Sequence, residues 1–134
     1  MKQILITLFT VLFCLTTSVG YSQNMICEYT GYSCPEIDYK DLVKRENLYF
    51  KKFTKVPFTG KVYGQEKGSM KNGKKEDSWV GYHDNGQLNE KGKFKNGKPV
   101  GSWVEYHDNG KLRSKSYYKN GKREGSLVIY RENG

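Results

Sequence analysis

From residue 57 onward, short alternating segments such as Ser102-Trp103-Val104-Glu105-Tyr106 are interrupted at regular intervals by the pair Asn-Gly. The pairs begin at Asn72, Asn85, Asn96, Asn109, Asn120 and Asn133, at spacings of 13, 11, 13, 11 and 13 residues. Asn and Gly both tolerate the positive φ that primed turns demand, so Asn-Gly between alternating segments predicts a β-hairpin. One strand per interval follows. The chain therefore reads as a meander built on a 24-residue repeat of two strands and two turns.

The period predicts a register and two faces. A two-residue turn at Asn85-Gly86 pairs Trp79 with Gly92, and the same turn at Asn109-Gly110 pairs Trp103 with Ser116. Keeping the repeat requires Asn96-Gly97-Lys98-Pro99 to form a wider, four-residue loop. One face then carries Trp79, Gly92, Trp103, Ser116 and Leu127, each large side chain beside a small one, which is how an aromatic shields a strand glycine. Beside it run Asp77, Phe94, Gly101, Tyr118 and Gly125. The opposite face carries Tyr82, Asn89, Tyr106, Arg113 and Tyr130, flanked by Val80, Lys91, Val104, Lys115 and Val128. Here Arg113 is expected between two tyrosines, in cation–π contact worth roughly 0.5–1 kcal/mol. Strand 126–131 is expected either to present an unpaired edge to which a partner strand could add, or to continue into further repeats of a longer array.

The earlier part of the chain is less regular. Residues 23 to about 46 give no periodic signal and are read as irregular. Leu48-Tyr49-Phe50 reads as a strand and 51–55 as a turn. Val56–Tyr63 opens the sheet, with Pro57 where a missing donor costs least, and Gly64–Gly68 closes a shortened hairpin. The expected organisation is residues 1–22 as a signal peptide, 23–56 as an N-terminal segment and 57–134 as the repeat array. The fold class is all-β, a single-layer twisted antiparallel meander of repeated hairpins.

Residues 1–22 have the grammar of secretion: Lys2, an apolar run from Ile4 to Leu15, then small residues before Tyr21 or Gln23. The run falls short of the ~20 residues that span a bilayer. An exported chain (periplasm or cell exterior), cut near Gly20 or Ser22, would retain Cys27 and Cys34, and a pair in that setting reads as a disulfide.

Composition changes the picture through charge. The chain is polar (mean hydropathy −0.80) yet 14% aromatic, with 11 tyrosines and a net charge of +9. Residues 60–134 hold 16 basic and 9 acidic residues, or +7. Such an array attracts acidic partners. Lys91, Lys93, Arg113 and Lys115 come together with Tyr82, Tyr106, Tyr117 and Tyr130 in a candidate binding face; a solvated face in which lysine discourages aggregation has the same composition. A second candidate surface is aromatic: Trp79, Phe94, Trp103 and Tyr118.

The string Gly101–Leu112, followed by Tyr118–Gly125, resembles the bacterial variant of the MORN repeat, whose G-x-W-x-x-Y-x-x-N-G-x-L core it carries. The lead-in Pro57–Val62 resembles the usual opening of such arrays, so the resemblance covers about residues 57–134. Asp77 and Leu127 depart from the repeat's Gly and Trp. The resemblance implies a hairpin stack associated with membranes and protein scaffolding. Many members carry the label antitoxin of a toxin–antitoxin system, which implies protein binding. A secretion signal sits awkwardly with neutralising a cytoplasmic toxin.

Catalytic and metal chemistry find little support. His83 and His107, each followed by Asp, stand two strands apart, about 9.6 Å, too far to share one zinc at ~2.0–2.1 Å from each nitrogen. They are read as flanking turns in which Asp84 and Asp108 accept hydrogen bonds from turn amides. Glu90 and Glu105 face each other, which can raise one pKa, but no nucleophile–base–orienter set accompanies them. The expected function is a non-enzymatic interaction or scaffold module, without cofactor or metal, that binds a protein partner through the aromatic face or the open edge. The alternative is attachment to an anionic surface, either lipid head groups (a membrane) or acidic glycan, through the basic-tyrosine face; nucleic acid is not the expected partner.

Overall fold

The computed structural model describes residues 34–133. Ten strands follow in order: β1 Glu36–Asp38, β2 Leu42–Arg45, β3 Leu48–Lys51, β4 Gly60–Tyr63, β5 Glu66–Lys71, β6 Lys74–Tyr82, β7 Leu88–Lys95, β8 Lys98–Tyr106, β9 Leu112–Lys119 and β10 Lys122–Ile129. A short 3-10 turn, Tyr39–Asp41, separates β1 from β2. Strands β4 to β10 pair in chain order as an antiparallel meander, the all-β hairpin array that the Asn-Gly spacing predicts. Two features add to it. β1 joins the same sheet parallel to β4, Ile37 opposite Val62, and β2–β3 form a separate two-stranded sheet. The segment before residue 46, expected to be irregular, thus supplies two strands from residue 36 onward. Its strands are too short to show a period of two.

The two turn types alternate, but in the reverse order from that expected. Lys-Asn-Gly-Lys is the tight one. Asn96 and Gly97 have φ of 52° and 75°, and Lys95 pairs directly with Lys98, a two-residue type I′ turn. The turns at Asn72-Gly73 and Asn120-Gly121 match it. At His83–Gln87 the loop is wider. Gly86 N–H donates to His83 O at 2.8 Å, His83 N–H donates to Gln87 O at 2.8 Å, and Gly86 alone has positive φ, 81°. That is a type I turn closed by a left-handed glycine, the usual three-residue hairpin. Asp84 takes its first central position, and the Asn85 side chain accepts from Gln87 N–H at 3.0 Å. Asn109 does the same for Lys111 at 2.9 Å. The turn amides are therefore capped by asparagines, not by Asp84 and Asp108, because an Asx side chain reaches the amide two residues on.

A bulge repeated three times restores the 24-residue register. Gly68 of β5 faces the stretch Asp77-Ser78-Trp79, Gly92 faces Gly101-Ser102-Trp103, and Ser116 faces Gly125-Ser126-Leu127. Phe94 consequently pairs with Pro99, not Gly101. The first bulged residue is left-handed each time, with φ of 60° at Asp77, 72° at Gly101 and 78° at Gly125. Three residues against one throw the large third residue across its small neighbour. Trp79 lies over Gly68 and Trp103 over Gly92.

These rings define the inner face. Trp79, Phe94, Trp103 and Tyr118 form one edge-to-face row, with successive centroids 6.2, 5.2 and 6.1 Å apart. Trp79 and Trp103 are buried, and burial of rings this size contributes about 4–6 kcal/mol each as an upper bound. Ile37, Val62, Met70 and Trp79 make the core, against which Tyr39, Leu42, Tyr49, Phe58 and Phe94 pack. The 3-10 turn and the β2–β3 sheet thus form a second layer over the first half of the meander, pinned by Tyr49 N–H to Gly73 O at 2.8 Å. Every residue of β10, at the other end, is exposed.

Candidate interaction face

Among the described residues the outer face carries no second layer. Directly paired residues share a face, which places Lys67 beside Val80, Lys91 beside Val104 and Lys115 beside Val128. Two residues beyond each valine stands Tyr82, Tyr106 or Tyr130. The Lys67 ammonium lies 4.9 Å from the Tyr82 ring centroid and that of Lys91 5.6 Å from Tyr106. Lys93 sits between Ser78 and Val100. Tyr117 sits between Ser102 and Glu124, and is exposed.

Arg113 does not make the expected contact. The loop glycine shifts the register, so Tyr106 pairs with Leu112 while Glu105 pairs with Ser114. Arg113 has no residue directly opposite in β8, and its carbonyl accepts the Tyr130 N–H at 2.8 Å. Lysine, not arginine, is the cation over tyrosine. Sequence reasoning missed Lys67, although it stands 24 residues before Lys91, as Lys91 stands before Lys115.

Carboxylates are sparse on this side. Glu124 faces Tyr117 and pairs with Lys119 at 3.7 Å, and Glu76 accepts the Asn96 N–H at 2.6 Å. Lys67, Lys91, Lys93 and Lys115 enter no salt bridge among the described residues. Their charge is available to a partner.

The inner face behaves differently. The four aromatic residues expected as a surface come together there, but both tryptophans are core, and Phe94 and Tyr118 are half-buried. Lys75 reaches into this face. Its ammonium lies 4.2 Å from the Trp79 ring, 5.3 Å from Phe94 and 5.6 Å from Tyr39, and it is paired with Glu66. Burial pushes the Tyr39 phenol up. Glu90 pairs with Glu105 as expected, and its pKa is raised, first by burial and then by Glu66, with Lys75 and a hydrogen bond from Trp103 pulling it down. Glu105 accepts from the Ser114 hydroxyl at 2.9 Å.

The histidines join successive repeats. His83 Nε2–H donates to Tyr106 O at 3.0 Å and His107 Nε2–H to Tyr130 O at 3.1 Å. The neighbouring turns are tied too, Gln65 to Asp84 Oδ1 and Asn85 to Asp108 O, both at 2.8 Å. Among the described residues no three His, Cys, Asp or Glu side chains gather closely enough to hold a metal. Cys34 is partly buried; Cys27, and with it the expected disulfide, lies outside the described residues, as does the expected signal peptide.

Residues 78–96 and 99–120 match a family model described as MORN repeat variant. Each matched stretch runs through one hairpin, β6–β7 or β8–β9, and includes its three-residue loop. No curated protein and no solved structure matches the chain.

Proposed function

We propose that this chain is a non-enzymatic interaction module whose repeat-built outer face binds a protein partner with an acidic surface. One observation carries the reading. Among the described residues this face is uncovered, repeats a lysine–tyrosine pair every 24 residues, and has lysines that enter no salt bridge. Tyrosine offers rigid, amphipathic contact area, and unpaired cations steer acidic partners to it. The aromatic row is a poorer candidate because both tryptophans are already buried in the core. An antitoxin-like role would be one case of this binding, a toxin neutralised by occupation of its surface. Residues 1–22 support action outside the cytoplasm.

The test is affinity capture by the immobilised chain, with Lys91→Glu/Lys115→Glu and Tyr106→Ala as paired controls. Protein binding predicts capture of a discrete protein that survives high salt and is lost in both variants. Capture unchanged by either variant removes the face from the function. Circular dichroism confirms that the variants are folded.

The net charge of +9 favours a second reading, attachment to lipid head groups or acidic glycan. Vesicles of phosphatidylglycerol would then bind where phosphatidylcholine does not. Binding would collapse between about 0.1 M and 1 M salt, as the Debye length falls from ~10 to ~3 Å.

A further inference from the structure

Each two-residue turn of the meander sets two lysines directly opposite one another: Lys71 and Lys74, Lys95 and Lys98, Lys119 and Lys122. Like charges facing across a ladder are destabilising, and the fold repeats the arrangement three times along one rim of the sheet. Among the described residues only Lys119 pairs with a carboxylate, Glu124. The other five enter no salt bridge among the described residues.

At one point this rim becomes a cleft. The β2–β3 sheet stands beside the turns at Gly73 and Gly97 and encloses a volume of about 550 Å³, within the ~300–1,000 Å³ range of small-molecule sites. Lys44, Lys74 and Lys98 line it, and no carboxylate does. Lys75 also reaches it, but its charge is met by Glu66. Tyr49, Phe94, Asn47 and Asn96 line it as well; aromatic rings offer apolar surface and asparagine amides offer donors and acceptors, while the Asn96 backbone N–H is already held by Glu76.

We infer that this cleft is a binding site for a single sugar ring bearing an anionic group, a phosphate or a carboxylate. The division of labour follows from the lining. Lys44, Lys74 and Lys98, none in a salt bridge among the described residues, meet the anion, the aromatic residues take the apolar face of the sugar, and the asparagine amides take its hydroxyls. A bound anion also offsets the repulsion between the facing lysines of the rim. None of Lys67, Lys91, Lys93 and Lys115 lines the cleft, so the inference does not depend on the function of the lysine–tyrosine series.

The experiment titrates the full chain with glucose 6-phosphate, glucuronate, glucose and inorganic phosphate, following backbone amide resonances at Gly73, Asn96 and Gly97. Saturable shifts at these amides are expected with glucose 6-phosphate, glucuronate or both, and which of them binds identifies the anion. Glucose should bind at least tenfold more weakly. Lys74→Gln/Lys98→Gln, at exposed positions, should weaken binding at least tenfold, while Lys91→Glu/Lys115→Glu should leave it unchanged. The inference is overturned if neither anionic sugar moves these resonances or if the glutamine variant binds as the parent does. Inorganic phosphate binding as tightly as glucose 6-phosphate overturns it as well, because the rings and amides would then contribute nothing.

Discussion

Gly92 is where the repeat is most sensitive to a single methyl group. Its backbone φ is ordinary, so alanine is conformationally acceptable, and losing a glycine would by itself stabilise the chain by about 0.4–1 kcal/mol. The structure reverses that sign. A methyl group on Gly92 would sit 1.8 Å from Trp103 Cε3 and 2.2 Å from Cζ3. The obstruction is the body of the indole, which cannot swing aside like a flexible chain end. Displacing the ring forfeits its edge contacts with Phe94 and Tyr118, about 0.5–1.5 kcal/mol each, together with part of its burial. Gly92→Ala is therefore expected to destabilise by about 2–4 kcal/mol, near the upper end for overpacking and below the ~3–5 kcal/mol for deleting a tryptophan outright. Urea unfolding followed by far-ultraviolet circular dichroism measures it without relying on the tryptophan signal. The decisive comparison uses Trp103→Leu, which reproduces the natural arrangement of Leu127 opposite Ser116 in the last repeat. In that background Gly92→Ala should cost less than about 0.5 kcal/mol, a coupling of roughly 2 kcal/mol or more. A Gly92→Ala protein as stable as the parent, or additive effects of the two changes, would refute the account of tryptophan lying over glycine.

Asp77 holds the left-handed bulge position that Gly101 and Gly125 fill elsewhere, so Asp77→Gly should raise stability by about 0.5–1 kcal/mol, read as a higher urea midpoint. His83→Ala leaves the Tyr106 carbonyl without its side-chain donor; a loss of about 1 kcal/mol is expected, with faster amide exchange in the β8–β9 hairpin. Glu90 holds its proton more tightly folded than unfolded, first through burial. Its contribution is therefore greatest below the ordinary glutamate range and is lost as pH rises through its raised pKa. Glu90→Gln should flatten that part of the stability curve, and an unchanged pH profile would show that the carboxylate is relieved some other way.

Particular residues show how far the chain could be read directly. The positions of the hairpins, the grouping of Trp79, Phe94, Trp103 and Tyr118, and the pairing of Glu90 with Glu105 all follow from spacing. The turn types do not follow from Asn-Gly alone. The preceding residue decides them, since Asp84 starts a type I turn in which Asn85 caps and only Gly86 turns left-handed, whereas lysine leaves Asn and Gly to make the turn between them. Lys67 was legible as a member of the 24-residue series; the displacement of Arg113 was not, because a one-residue slip at the loop is invisible to a count that assumes tight turns.

The sequence by itself determined a meander with two unlike faces, because alternation and turn chemistry are local and repeat every 24 residues. Which face would be buried was a tertiary outcome. Both faces carry aromatic residues, and Tyr39, Leu42 and Tyr49 pack against the side that holds Trp79, Val62 and Met70. Among the described residues that packing leaves the lysine–tyrosine face open and makes the cationic cleft, where β3 meets turns far from it in the chain. Local propensity carries no information about such a meeting, since its free energy comes from surfaces that exist only after both partners have folded.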